Sequence, residues 1–454
     1  MSTRARAGGP TGLCFFPAFD WAIAPTHPER EERLLYTRDQ IHEEGLLDLP
    51  DFAEYAPRLA GDTEIGRAHV CVPSIGAQLE EAHRLAAGGA LALGDAWAGG
   101  EVANAFALVR PPGHHALRLV HGNRGFCSCN NAAVLIQHLR KVHGVGRVAL
   151  VDTDVHHGDG NQDIFWHDPD VLVVGLQQDG RTLYPGTGFL DDLGGPGAWG
   201  TNLNIPLPPS TSDEGLLQVV EGLVLPILEE FQPEVVVNSA GQDFHYSDPL
   251  AHMNVTAAGY ARMTELLQPD LLVLEGGYSI RGALPYVNVA ILLALAGLDA
   301  SAVVEPGLDR ASLRQSEAWD RYLITLMEQV RQRWDDRHEQ GERARKEAGE
   351  VARRERRLYC DTDGITEEQA EELHLCPRCP GWSAVDSAAE GSFGSRRILA
   401  VQAPLRACTA CAEAARSAWR EACEEPGPFQ AVHLQDLSAD DHRIWRREDG
   451  VPLP

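Results

Sequence analysis

The stretch Val148-Ala149-Leu150-Val151-Asp152-Thr153-Asp154-Val155-His156-His157-Gly158-Asp159-Gly160 joins a short apolar run to the densest set of carboxylates and imidazoles in the chain. An apolar run with no polar alternation marks a parallel strand covered on both faces. The same kind of run recurs at 171–176, 235–239 and 271–274. Helical patterns lie between them, for example at 131–143 and 214–231. This βα alternation predicts an α/β fold, a three-layer αβα domain with a mostly parallel central sheet. Ligands in such folds sit beyond the carboxyl ends of the strands, so the chemistry is expected directly after these runs.

If the chain stays extended past the first run, strand period two puts Asp152, Asp154 and His156 on one side, a donor set suited to a metal. A second piece, Ser239-Ala240-Gly241-Gln242-Asp243, follows another strand and offers a further carboxylate. An Asp/His/Asp set leaves a fourth position open for water and substrate, as catalytic rather than structural zinc requires. A third piece, Arg110-Pro111-Pro112-Gly113-His114-His115, supplies adjacent imidazoles, the side chains best suited to moving protons near neutral pH. Taken singly, an Asp after a strand reads as a helix cap and a His as a buried hydrogen-bonded side chain. Three such pieces at successive strand ends favour a site.

Composition narrows the class. The 454 residues suffice for about three domains or one large α/β core with additions. Hydrophobic residues at 44% and charged residues at 23% exclude disordered and fibrous classes. Lys and Arg total 39 against 66 Asp and Glu, and the net charge of −27 opposes phosphate backbones and anionic membranes, so no direct nucleic-acid partner is expected. The longest apolar stretch, 287–298, contains Asn288 and falls short of the ~20 residues of a membrane span. Arg4 and Arg6 are followed by Gly8, Gly9 and Pro10 rather than an apolar run, so no secretory leader and a cytoplasmic setting are expected. There the ten Cys would be thiols or metal ligands.

The motif-bearing part is expected to end near 305. From 306 to 373 the chain is charged and rich in helix formers of both signs, with no strand signals, and a solvated helical extension is expected. From 374 to 454 follow a small Cys-rich segment and an acidic tail. Cys376-Pro377-Arg378-Cys379 and Cys408-Thr409-Ala410-Cys411 form two CxxC pairs, which together make a four-cysteine set for a structural zinc in a small, zinc-ribbon-like fold. The interval 380–407 is longer than the commonest ones, and a redox pair or free thiols are the alternatives. A segment so poor in large apolar side chains is not expected to form its own core without the metal. Cys14, Cys71, Cys127, Cys129, Cys360 and Cys423 read as ordinary thiols.

From about 11 to 300 the chain resembles the histone deacetylase family, with its arginase-like α/β fold. The resemblance rests on blocks in order: His27-Pro28-Glu29, Arg110 to His115, Gly125-Phe126-Cys127 with Asn130-Asn131, Asp152 to Gly160, Pro185-Gly186-Thr187-Gly188, Asn204 to Pro208, Asp243 with Asp248-Pro249-Leu250, and Glu275-Gly276-Gly277-Tyr278. It implies that Asp154, His156 and Asp243 bind zinc, that Asp152 bonds His114 and Asp159 bonds His115, and that His115 is the general base and then acid. It implies further that His114 stabilises charge, that Tyr278 points its hydroxyl at the acyl oxygen, and that Phe126 and Tyr184 wall the slot for an acyl-lysine stem, with Gly125, Leu250 and Gly276 beside it. The implied reaction is zinc-dependent hydrolysis of acetyl-lysine or another acyl-lysine in proteins. An acetylpolyamine or other small acylated amine is the alternative substrate, and Leu250, where an acid would suit a polyamine cation, favours protein. A different class of function, a scaffold binding a protein partner or a second copy through the C-terminal extension, is the remaining alternative.

Three positions depart from the family pattern: Gln242 where Phe is common, Tyr184 where Phe is usual, and Gly175 where a hydroxyl residue would contribute to a potassium (K+) site.

Overall fold

The computed structural model describes residues 9–448. Arg4, Arg6 and Gly8, on which the reading of the amino terminus rests, lie outside the described residues, as do 449–454 at the end of the tail. Eight strands form the central sheet: β1 (Thr11–Phe16), β2 (Phe52–Tyr55), β3 (Asn104–Val109), β4 (Val148–Asp152), β5 (Val171–Gln178), β6 (Asn202–Leu207), β7 (Val235–Ala240) and β8 (Leu271–Leu274). Their order is β2-β1-β3-β8-β7-β4-β5-β6, and every pairing is parallel. β4, β5, β7 and β8 are the four apolar runs read from the sequence, and each of their residues is buried. The other four strands carry polar residues such as Glu54, Asn104 and Asn202, which break the all-apolar signal.

Alternate residues of one strand enter opposite cores, as period two requires. Leu150 faces the core built with the helices Glu81–Ala98 and Asn131–Val142, whereas Val151 faces the core built with Ala257–Leu267 and Leu284–Ala296. This is the three-layer αβα arrangement. Helix Asn131–Val142 starts where Asn130 accepts the Ala133 N–H at 2.8 Å, satisfying one of the unpaired first-turn amides. The helical stretch expected at 214–231 is interrupted by a π-turn at Val220–Val224. Pro226, which lacks an N–H, stands two residues beyond it, in the first turn of the helix that resumes at Leu225. Among the described residues, no helix is long and apolar enough to cross a membrane.

The C-terminal third differs from the expected boundaries. Helix Glu317–Asp335 places Leu323, Leu326, Val330 and Trp334 in the core of the α/β domain, and Trp334 Nε1 donates to Glu230 Oε2 at 2.7 Å. The expected solvated helix is instead Arg337–Ala348, which buries no residue. Strands then appear where helix was expected: β9 (Val351–Cys360) and β10 (Ile365–His374) open a six-stranded sheet completed by β11 (Trp382–Gly391), β12 (Gly394–Ala403), β13 (Ala431–Asp436) and β14 (Asp441–Arg446). Helix Thr409–Glu424 crosses between β12 and β13, the single parallel pair of this sheet. The described part of the acidic tail thus contains β13 and β14.

The sheet also has an apolar core, against the expectation that only a metal could fold it. Val401, Ala415, Trp419, Val432, Leu434 and Trp445 pack together, drawing on residues between the two CxxC pairs and beyond the second. A further cluster joins Val385, Ile398 and Ala431 of the sheet to Val70, Val72 and Leu119 of the α/β domain.

The helical appearance of 351–374 comes from its Arg, Glu and Ala content, yet β10 does alternate, burying Ile365, Glu367, Gln369, Glu371 and Leu373. Period two is present, but its inward residues are largely polar. They are tolerated because charged partners surround them: Arg118 reaches Glu371 at 2.5 Å, His121 lies 3.6 Å from Glu367, and Arg356 of β9 bonds Gln369 while pairing with Asp163 of the α/β domain.

Burial alone would raise the Glu371 carboxyl, but Arg118, His167 and Arg356 hold it well below the ordinary 4.5. A carboxyl depressed in the folded state contributes stability that is complete above its unfolded value and is lost as pH falls. Replacing Glu371 by Ala leaves buried Arg118 without its counter-charge and should cost about 3–5 kcal/mol. Thermal unfolding and limited proteolysis of the C-terminal sheet should show this loss in full at pH 7, shrinking as pH falls below the ordinary 4.5.

Candidate active site

Four strand ends converge at the carboxyl edge of the central sheet: β3 leads to His114 and His115, β4 to Asp152–Asp159, β7 to Asp243 and β8 to Tyr278. The extended conformation does not persist past Asp152, contrary to the period-two reading. Instead, the Asp154 N–H donates to Asp152 Oδ1 at 3.0 Å and the His156 N–H to Asp154 Oδ1 at 2.9 Å. These successive side-chain-to-backbone turns split the carboxylates. Asp152 faces His114, while Asp154 faces His156 and Asp243.

His156 Nδ1 lies 3.1 Å from Asp154 Oδ1 and 3.2 Å from Asp243 Oδ2. One ligand atom from each of the three residues falls within 4.8 Å of the others. Both carboxylates are fully buried. Burial and the adjacent Asp154 push the Asp243 carboxyl up, whereas His114 and His156 hold Asp154 low against the effect of burial. Burial opposes the His156 imidazolium, yet Asp154 and Asp243 carry it to about 10. Two buried carboxylates thus compete for one imidazole proton, and a divalent cation taking the place of that proton would compensate both. The floor is shaped for the ligands: a Cβ on Gly276 would run into both Asp243 and Asp154. The Gly276 N–H donates to Asp154 Oδ2 at 2.7 Å.

Two imidazole–carboxylate pairs flank this group. His114 Nδ1 is 3.1 Å from Asp152 Oδ2, and His115 Nδ1 is 2.7 Å from Asp159 Oδ1. Their electrostatics diverge. Burial opposes the His114 imidazolium, but Asp154 and Asp152 hold its pKa well above the ordinary value. Burial and the neighbouring His114 drive His115 down to about 3, so it is neutral with its Nδ1 fixed by Asp159. Glu275, raised to about 7 by burial, accepts the Gly113 and His114 N–H groups at 2.7 and 3.0 Å and fixes the histidine loop.

Above the floor lies a cavity of about 220 Å³ whose walls include Phe126, Tyr184, Leu250 and Tyr278. A larger cleft of about 400 Å³, between Ser212 and Arg314, touches none of these groups. The Phe126 and Tyr278 rings meet edge-on at 5.7 Å, and the Tyr184 ring stands 5.3 Å from that of His115. Gly125 has φ +52, and a Cβ there would strike the His115 ring. Tyr278 keeps its proton, because burial raises its pKa far above the ordinary value, and no described residue bonds its hydroxyl. At the departures from pattern, buried Gln242 donates to Asn288 at 3.1 Å, and side-chain oxygens of Gln177 and Asn204 crowd the space beside Gly175.

Sequence reasoning missed Arg33 and Arg124. Buried Glu29 joins Arg33 at 2.9 Å to Arg110 at 2.8 Å, and Arg33 Nε donates to the Gly277 carbonyl at 2.8 Å, bracing the loop that carries Tyr278. The i,i+4 spacing of Glu29 and Arg33 was a legible signal. Arg124, 2.6 Å from Asp159, has none, because its partner is distant in sequence.

Away from this site, Sγ atoms of Cys376, Cys379, Cys408 and Cys411 also fall within 4.8 Å of one another. The Arg378 N–H donates to Cys376 Sγ at 3.5 Å and holds that thiol down to about 6. The Gly381 N–H donates to Cys379 Sγ at 3.4 Å. Asp95, His138 and His143 form a third group, but Arg58 lies 3.5 Å from the Asp95 carboxylate and already supplies it with positive charge.

Residues 73–293 match the family described as the histone deacetylase domain. The chain is 41% identical over 324 residues to a protein of Archaeoglobus fulgidus named as a probable deacetylase, spanning 65% of this chain and 89% of that one. A histone deacetylase-like amidohydrolase of Pseudomonas aeruginosa is 39% identical over 253 residues, 54% of this chain and 65% of its own. An acetylpolyamine amidohydrolase of Burkholderia pseudomallei is 41% identical over 181 residues, 39% of this chain and 52% of its own. Among solved structures, the crystal structure of the HDA15 HD domain is similar with a TM-score of 0.63 and 29% identity, covering 74% of this chain and 98% of that one. Fold, site and relatives agree: the chain belongs to the histone deacetylase family.

Proposed function

We propose that the protein is a zinc-dependent amidohydrolase that removes the acetyl or another acyl group from lysine side chains of proteins. Family membership supports a deacetylase-type hydrolase. The observation that carries the finer reading is the meeting, under one cavity, of the Asp154/His156/Asp243 donor set, the His115–Asp159 pair and the free Tyr278 hydroxyl. Asp154, His156 and Asp243 would hold the zinc. When bound, zinc supplies Lewis-acid polarisation of the amide carbonyl and of the attacking water.

The protein's own groups do the rest. Asp159 orients His115, whose Nε2 takes the proton from the attacking water and returns it to the leaving amine. His114, kept charged by Asp152 and Asp154, stabilises the negative charge developing nearby. The Tyr278 hydroxyl donates to the acyl oxygen as it becomes an oxyanion. Phe126 and Tyr184 enclose the lysine stem with Leu250 beside them, while Gly125 leaves room for the His115 ring and Gly276 for Asp154 and Asp243. Burial of the stem is worth on the order of 0.8 kcal/mol per methylene.

A small acylated amine is the second reading of the same site, favoured by the relative named as an acetylpolyamine amidohydrolase. The four clustered cysteines would hold a second, structural zinc. A cytoplasmic setting accords with cysteines that are all unpaired among the described residues.

Tyr278→Phe should lower kcat by roughly two orders of magnitude with zinc content unchanged, measured by turnover and elemental analysis. Asp243→Ala should lose the active-site zinc together with turnover and keep the fold, as judged by circular dichroism. Intact protein should contain two zinc ions per chain, and Cys376→Ser combined with Cys379→Ser should leave one and make the C-terminal sheet protease-sensitive.

A further inference from the structure

The C-terminal sheet reaches the mouth of the cavity. In the turn 361–364 between β9 and β10, Asp361 Oδ1 accepts the Tyr184 hydroxyl at 2.7 Å and the Gly125 N–H at 3.1 Å. Asp363 accepts the Asn123 N–H at 2.7 Å, and the Tyr359 carbonyl accepts from Arg124. This turn therefore holds the Tyr184 wall directly and the segment 123–125 that leads into Phe126, and it gives the hydroxyl at position 184 an acceptor.

Asp361 itself lines the cavity and is the sole Asp, Glu, Lys or Arg among the described residues that do. Both hydrogen bonds to its carboxylate fall on Oδ1, and Oδ2 accepts none from the described residues. Among the described residues, no Lys, Arg or His forms an ion pair or hydrogen bond with the Asp361 carboxylate. Arg124 is committed to Asp159 at 2.6 Å. His27, edge-on to Phe126 at 4.3 Å, is lowered by burial and is neutral near pH 7. Asp361 bonds the hydroxyl of Tyr184, a side chain 36% exposed, so it stands toward the outer end of the cavity, beside whatever extends from the acyl group and its stem.

We propose that Asp361 is a specificity-determining residue that binds a cationic group, an ammonium or guanidinium, carried by the substrate next to its acylated amine. The inference rests on the hydrolase reading above and narrows its substrate class. The cation can come from a flanking Lys or Arg of a protein, or from the second amine of a monoacylated polyamine. Acidic neighbours meet a like charge there and are disfavoured.

The test compares full-length native protein with Asp361→Asn, which keeps an oxygen acceptor for Tyr184 and Gly125 but removes the charge. Substrates are acetyl-lysine peptides with Lys, Ala or Glu beside the acetyl-lysine, and a monoacetylated polyamine. Native protein should prefer Lys over Glu, and Asp361→Asn should reduce the Lys-to-Ala ratio of kcat/KM by about three- to tenfold, carried in KM. Loss on the polyamine instead, relative to the Ala peptide, supports the same charge recognition with a small-molecule source. Asp361→Lys should invert the preference toward Glu. Equal losses on every substrate would make Asp361 a clamp only and overturn the proposal, as would a native protein indifferent to flanking charge. No turnover of any acylated amine by native protein would instead overturn the hydrolase reading and this inference with it.

Discussion

Two carboxylates, Asp154 and Asp243, are held within reach of one imidazole where water is excluded, and most of the site is arranged around that electrostatic demand. A buried pair of like charges cannot stand without compensation, as the rise in the Asp243 carboxyl under burial and Asp154 registers. The central sheet imposes the meeting. β4 and β7 are adjacent parallel strands, with Asp152 opposite Ser239 in register, so the residues just beyond their ends share one space. β8 lies on the other side of β7 and delivers Gly276, whose missing side chain leaves room for both carboxylates.

Around this demand lies a second tier of buried charge. Glu29 ties Arg33 to Arg110, Glu275 ties the histidine loop to β7 through Ser239 Oγ at 2.7 Å, and Arg124 ties Asp159 to the carbonyl of Tyr359. Such pairs gain little net stability over apolar packing. Their value is directional, because each fixes the orientation of a group that faces the cavity. The last of them runs between the two parts of the chain, so the C-terminal sheet is continuous with the architecture of the site.

That sheet shows how polar residues fill an interior when a partner surface is already charged. β10 buries Glu367, Gln369 and Glu371 against Arg and His side chains, and Arg67 of the α/β domain reaches Asp440 at 2.6 Å. Few apolar residues are needed at the contact, since the opposite face of the sheet packs Trp419 and its neighbours beneath their own helix.

The amino-acid sequence by itself determined the α/β class and the four central strands, and it singled out Asp154, His156, Asp243, His114, His115 and Tyr278 as candidates, which the structure gathers at one edge of the sheet. Each of these signals is local: a continuous apolar run is buried on both faces whatever its neighbours, and short motifs at strand ends keep their chemistry in close sequence. Only the tertiary structure decided that the chain leaves the extended conformation after Asp152, because that depends on side-chain hydrogen bonds which bend the chain beyond β4. Only it decided that 351–374 is strand, because the partners that make buried glutamates acceptable lie more than two hundred residues away, as Arg118 and Glu371 do at a separation of 253. And only it placed Asp361 beside Tyr184 and Gly125, since a turn in one sheet meets the mouth of a cavity in another through docking, which no local pattern encodes.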